Sequence, residues 1–188
     1  MKSLERGFKA WSERTSLALR KELSLTIDDQ LCPFKFADFL GFEIWTPQDV
    51  PEITEDILDE LLGNDLWGWS ATSFEVNDKS IIIYNPNHNQ GRRASDVMHE
   101  ISHSILNHQP ASMILSIELE NFCMRSFDQK QEDEANCLAW ALLLPREGLL
   151  RAKLKRKTDD EIAEQFGVTK KLVTFRMQTT GISRQIRH

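Results

Sequence analysis

Residues 99–103 read His99-Glu100-Ile101-Ser102-His103. On an α-helix this spacing stacks the two imidazoles one turn apart on one face and turns Glu100 to the flank. Two histidines so placed can share one zinc ion, and a carboxylate beside them can take a proton from water, so the chemistry on offer is metal-assisted hydrolysis with Glu100 as general base. Val97, Ile101 and Ile105, flanked by Met98 and Leu106, recur at helical spacing and give the segment an apolar side that is not the histidine side. Upstream, Ser80 to Tyr84 is a β-branched run closed by Asn85-Pro86-Asn87 and then Asn89-Gln90-Gly91, which predicts a strand and a loop feeding the metal helix.

A catalytic zinc takes three protein ligands and leaves a position open, so a further donor is needed. Asp128 to Leu144 predicts a second strong helix, acidic at its start and stopped by Pro145, and it carries Glu132-Asp133-Glu134-Ala135-Asn136. Glu132 and Glu134 both flank its apolar stripe of Ala135, Leu138, Ala139 and Leu142, and hydrophobic phase does not choose between them.

The elements that must position these groups are legible in outline. Leu4, Phe8, Trp11 and Ala18 recur at helical intervals and predict an amphipathic N-terminal helix with that stripe buried. Phe42 and Ile44 alternate with Glu43 in a short strand ended by Pro47, and Asp56 to Leu62 is a weak helix stopped by Gly63-Asn64. A strand from Trp67 to Val76, a turn at Asn77-Asp78 and the Ile81–Ile83 run complete a small antiparallel sheet. Near the end, Thr158 and Glu161 form a capping box ahead of Ile162, Ala163 and Phe166. Gly167 breaks that helix and Thr169 caps another through Leu172, Val173 and Arg176. Such a pair has the outline of a helix-turn-helix, although the same spacing serves any packed helix pair.

At 188 residues and 40% hydrophobic the chain suits one core with a small extension: residues 1–145 and a basic helical stretch, 146–188. No apolar run is long enough to span a bilayer and no secretion signal precedes the first helix, so a soluble cytoplasmic protein is expected. Cys32, Cys123 and Cys137 lack metal-ligand spacing and are expected as buried free thiols. From Arg146 onward 11 Lys and Arg face 5 Asp and Glu, a local charge of +6, so the net −6 leaves −12 on the first 145 residues. The run from Arg151 to Lys157 is expected as a solvated linker rather than a nucleic-acid contact.

His99-Glu-Ile-Ser-His103, Glu132-x-x-Ala-Asn136, Leu142-Leu-Leu-Pro145 and Ile162-Ala-x-x-Phe-Gly-Val168 together resemble the ImmA/IrrE family of zinc metallopeptidases. The resemblance implies an α+β, zincin-like fold with a short antiparallel sheet, two central metal-binding helices and a C-terminal helical subdomain. It implies Zn2+ held by His99, His103 and Glu132, with Glu134 then left as an exposed helix charge and Asn136 orienting a histidine ligand. It also implies a metalloendopeptidase that cuts a helix-turn-helix transcriptional repressor met in trans, with no direct DNA contact of its own. Ser102 stands where members often carry glycine. An oxyanion donor is also needed, and His108 and Tyr84 are candidates by proximity in sequence, although an offset of five takes His108 off the ligand face and favours a surface histidine or one that supports a ligand from behind. The rival reading is a non-catalytic zinc-containing module that contacts DNA or a regulator through the basic helix pair; Glu100 argues against it, since a structural site has no use for a base.

Overall fold

The computed structural model describes residues 4–63, 69–76, 79–108 and 128–186. Over these the chain is α+β. Helices α1 (Phe8–Glu22) and α2 (Pro33–Phe39) precede strand β1 (Phe42–Trp45), and α3 (Glu55–Leu62), β2 (Ala71–Val76) and β3 (Lys79–Tyr84) follow. Two long helices come next, α4 (Gln90–Ile105) and α5 (Gln129–Leu143), then α6 (Arg146–Leu154), α7 (Asp159–Phe166), α8 (Lys170–Thr179) and the short α9 (Ile182–Gln185).

The sheet has the order β1-β3-β2, with β2 antiparallel and β1 parallel to β3, so the antiparallel sheet expected from the sequence is instead mixed. Chain connectivity explains the difference. β2 and β3 are hairpin neighbours, with Val76 opposite Lys79, and can only run antiparallel. Between β1 and β3 the chain builds α3 and β2, a crossover long enough to return it to the same end of the sheet, as a parallel pair requires. The expected turn at Asn77-Asp78 lies outside the described residues, as do Asn64, Trp67, Gly68 and Cys123.

Helix α4 lies between the sheet and α5. Its predicted stripe is the buried one: Val97, Met98 and Ile101 are fully enclosed and pack in one cluster with Ile82 of β3 and Leu138 and Leu142 of α5. Burying these side chains stabilises the fold by about 1.5–3 kcal/mol each, which fixes the face that α4 turns outward.

Helix α1 forms where the sequence puts it but buries a different face. Ser12, Ser16 and Arg20 point inward, whereas Trp11 and Ala18 of the expected stripe are exposed. The reason is the C-terminus of α5, whose last carbonyls have no partner within the helix and are followed by Pro145. Ser16 Oγ donates to Ala141 O at 2.7 Å and Arg20 Nη2 donates to Leu142 O at 2.9 Å. Arg176 Nε of α8 donates to Leu144 O at 3.0 Å. Two guanidinium groups thus sit at the negative end of the helix dipole. Burial pushes the Arg20 guanidinium down to about 10, opposed by the charge of Asp29, which leaves it cationic at neutral pH.

The basic run from Arg151 is not a solvated linker. It is mostly α6, with Leu149 and Ala152 buried, and three of its five cations form ion pairs: Arg151 with Glu147, Lys153 with Asp159 and Lys155 with Asp28. Helices α7 and α8 start at the predicted caps, with the reciprocal Thr158–Glu161 bonds and Thr169 accepting from Leu172 N. Gly167 takes the left-handed conformation (φ 65°) that the turn between them needs. Ile162, Phe166, Val173, Met177 and Ile182 belong to the same core cluster as Met98 and Leu142. Cys137 is buried and Cys32 half-buried, both as free thiols. Among the described residues, no helix is long and apolar enough to cross a membrane.

Candidate metal centre

Asn89 Oδ1 caps α4 by accepting from Arg92 N at 3.0 Å, and Asp128 Oδ1 caps α5 by accepting from Lys130 N at 2.9 Å. The packing of these two helices sets His99 and His103 of α4 against Glu132 in the first turn of α5. His99 Nε2 and His103 Nε2 are 3.0 Å apart, Glu132 Oε2 is 3.2 Å from His99 Nε2, and Glu132 Oε1 is 3.5 Å from His103 Nε2. Ligands held about 2.0–2.1 Å from one zinc at tetrahedral angles lie about 3.3 Å from each other. The three pairs bracket that spacing, so this donor set fits a single zinc ion. Among the described residues, these three form the group of His, Cys, Asp and Glu side chains whose donor atoms converge in this way. Their side chains are 19%, 19% and 23% exposed, so solvent or a substrate reaches the centre without unfolding.

The site is electrostatically prepared for a cation. Burial draws the His99 imidazole toward its neutral form, but the hydrogen bond to Glu132, the charges of Glu100 and Glu132 and a side-chain interaction with Asn136 outweigh this and hold its proton affinity above the ordinary value. His99 Nδ1 is buried with no hydrogen-bond partner in the structure. Asn136, expected to orient a histidine, interacts with the His99 side chain and gives its amide Nδ2–H to Glu132 O at 2.8 Å.

Glu100, between the two histidines, is only 5% exposed, and its Oε2 accepts from Ser73 Oγ of β2 at 2.7 Å. Sequence reasoning missed Ser73. Strand alternation puts it on one face of β2, opposite Ile82, but nothing in the sequence says that this face meets Glu100. Ser102, at the glycine position of the family pattern, is fully buried and gives its hydroxyl to Met98 O at 2.8 Å, so its polar atom is satisfied inside α4.

Two expectations at the end of α4 are corrected. The helix does not continue to His108: Asn107 turns left-handed (φ 50°), Asn107 N donates to Ser104 O at 3.0 Å, and His108 N donates to His103 O at 3.0 Å. This closing turn carries the His108 ring back onto His103, with Nδ1 to Nδ1 at 3.0 Å. His108 Nε2 lies 3.2 Å from Glu134 Oε2. Both ring nitrogens of His108 are therefore engaged on the side of His103 away from Glu132, which removes it as an oxyanion donor. Glu134 is not an exposed helix charge: its side chain is 14% exposed and turned to His108, while Glu132 faces the Nε2 atoms. Tyr84 places its ring edge-on to Phe34 of α2, with centroids 5.3 Å apart.

The first turns of α4 carry one more polar group that the sequence did not single out. His88 Nδ1 pairs with Asp96 Oδ2 at 2.8 Å beneath the site, with Arg92 Nε 3.8 Å from the same oxygen. Burial raises the Asp96 carboxyl above the usual range, against the pull of His88 and Arg92.

The model of the Peptidase_M78 family, described as the IrrE N-terminal-like domain, matches residues 65–178. The chain belongs to this family of metallopeptidases. No curated protein matches the sequence. Among solved structures it is similar to a Mycobacterium tuberculosis transcriptional regulator, at 18% identity and a TM-score of 0.49. That similarity covers 92% of this chain, and the chain spans 47% of that protein's length.

Proposed function

We propose that the protein is a zinc-dependent endopeptidase of zincin-like design, with His99, His103 and Glu132 as metal ligands and Glu100 as general base. The observation that carries this reading is the convergence of the three donor atoms at 3.0–3.5 Å beside a buried carboxylate. Zinc, when bound, supplies Lewis acidity to the scissile carbonyl and acidity to water. Glu100 accepts the proton of the attacking water and returns it to the departing amine nitrogen. Ser73 holds Oε2, which leaves Oε1 as the accepting atom.

The substrate class follows from the ImmA/IrrE resemblance: a helix-turn-helix transcriptional repressor, cut in trans in the cytoplasm. Residues 146–188 act as an extension packed on the 1–145 core and help hold the substrate, without reading DNA. In support, Lys170 on the would-be recognition helix is paired with Asp160 at 2.8 Å, and Arg176 is buried against Leu144 O and Glu13.

Glu100→Gln tests the reading. The amide oxygen can keep the Ser73 hydrogen bond, so fold and zinc content should be unchanged. An amide cannot take the proton, so cleavage of a cognate repressor, followed by mass spectrometry of the fragments, should fall by about 100- to 10 000-fold. Equal cleavage by wild type and variant would remove Glu100 from the chemistry.

A further inference from the structure

A metal-binding imidazole must present a bare nitrogen to the ion, and which nitrogen is bare is set by what the other one touches. The two candidate histidines differ here. His99 Nδ1 is buried without a partner, whereas His103 Nδ1 faces His108 Nδ1 at 3.0 Å, and His108 Nε2 faces Glu134 Oε2 at 3.2 Å. The His108 side chain is 7% exposed and that of Glu134 14% exposed, so water competes little for these bonds.

Proton bookkeeping along this chain has one consistent solution for neutral rings. An ionised carboxylate only accepts, so His108 carries its proton on Nε2, pointing at Glu134. Its Nδ1 is then a lone pair. Two nitrogens 3.0 Å apart need one proton between them, so His103 carries its proton on Nδ1. His103 Nε2 is left as a lone pair, aimed at the space it shares with His99 Nε2 and Glu132. The far end of the chain is anchored as well: Lys130 Nζ, bonded to Glu5 at 2.7 Å, lies 3.8 Å from the second oxygen of Glu134.

We propose that His108 and Glu134 form a positioning relay that fixes the tautomer and orientation of His103 and so sets the affinity of the centre for zinc. This rests on the metal reading above and adds two residues to it. The backbone supports the assignment, because the left-handed turn at Asn107 and the His108 N–H to His103 O bond hold the two rings together before any ion arrives. Neither residue touches the reacting atoms.

The test is competition for zinc ion between the metal-free protein and a chromophoric chelator, with circular dichroism as a check on folding. His108→Leu should bind zinc about 10- to 100-fold more weakly than wild type. His108→Asn, which can place an amide oxygen near the lost Nδ1 and accept from His103, should recover most of that loss. Glu134→Leu, should His108→Leu fail to fold, carries the same test from the far end of the relay and should also weaken binding. The double variant should be no weaker than His108→Leu alone, since one chain is broken only once. Two-bond 1H–15N spectra of the wild type read the tautomers directly and should show His108 protonated on Nε2 and His103 on Nδ1. Wild-type affinity in both leucine variants, equal loss in His108→Leu and His108→Asn, or a His108 proton on Nδ1 would overturn the relay while leaving the metal site standing. Failure of the wild type itself to bind zinc would overturn the site and the relay together.

Discussion

Arg176→Met removes a side chain that ties α8 to both α1 and the end of α5. Its Nη2 donates to Glu13 Oε1 at 2.5 Å and its Nε donates to Leu144 O at 3.0 Å, and the side chain is 7% exposed. Methionine fills most of the volume but leaves the Glu13 carboxylate without its cation and the Leu144 carbonyl without a donor. Breaking a fully buried pair from one side costs about 3–5 kcal/mol. Glu13 is 23% exposed and still accepts from the backbone N–H of Arg146 at 2.9 Å, so water and that bond recover part of the loss, and about 2–3 kcal/mol is expected. For a chain of this size, 1 kcal/mol moves the midpoint by about 2–4 °C, so thermal unfolding followed by circular dichroism should show a drop of about 4–12 °C. Glu13→Gln keeps one of the two acceptor oxygens and sets its NH2 against the other donor, so it should also lower the midpoint. A shift below about 2 °C in Arg176→Met would mean that α8 is held by its apolar contacts alone and that the polar tie is idle.

Further outcomes follow from the same contacts. Glu132→Ala leaves two imidazoles to hold the ion and should weaken zinc binding by about 100- to 1000-fold in a chelator competition, taking one ligand's share of the binding energy of a zinc site; an unchanged affinity would move the third ligand elsewhere. Gly91→Ala places a methyl 2.8 Å from the backbone of Val168 and Thr169, so despite alanine's better helix propensity it should lower the unfolding midpoint, by about 1–3 kcal/mol in stability, and a raised midpoint would refute the close approach of α4 to the α7–α8 turn. Burial raises the Cys137 thiol above its ordinary value, so in the folded protein its alkylation, read by peptide mass spectrometry, should be slow at neutral pH and rise in alkaline solution as thiolate forms, while half-buried Cys32 reacts first. Equal rates for the two at neutral pH would contradict the packing of Cys137 under α1.

The parts of this molecule that obey simple periodicity were legible in the sequence. The stripe of α4, the strand at Ser80 to Tyr84 and the caps at Thr158 and Thr169 all depend on a residue and its near neighbours in the chain. What was hidden depends on meetings between distant segments. Periodicity assumes that the buried face is the apolar one, and α1 breaks that assumption because Ser16 and Arg20 answer orphan carbonyls more than a hundred residues away. Glu132 and Glu134 flank the same stripe and differ only in what faces each, namely the Nε2 atoms of α4 for the first and His108, beyond the end of α4, for the second. His108 was expected off the ligand face, either at the surface or supporting a ligand from behind, and the turn at Asn107 that decides between the two is not a matter of periodicity. Ser73 and the parallel pairing of β1 required knowing how the sheet lies against α4.

The seam between α1 and α5 also bears on how the chain folds as it leaves the ribosome. Ser16 waits for a partner 125 residues further on, and at about 5–20 residues per second that segment takes about 6–25 s to be made. During this interval α1 has nothing to dock on. Because the face it will bury is Ser12, Ser16 and Arg20, the waiting helix withholds mainly hydrogen-bonding groups from its final partner, and these are well served by water in the meantime. An apolar seam in the same place would be sticky throughout synthesis. The polar one defers its contribution until α5 is complete, and then commits the helix to one register through bonds that a sliding hydrophobic contact would not enforce.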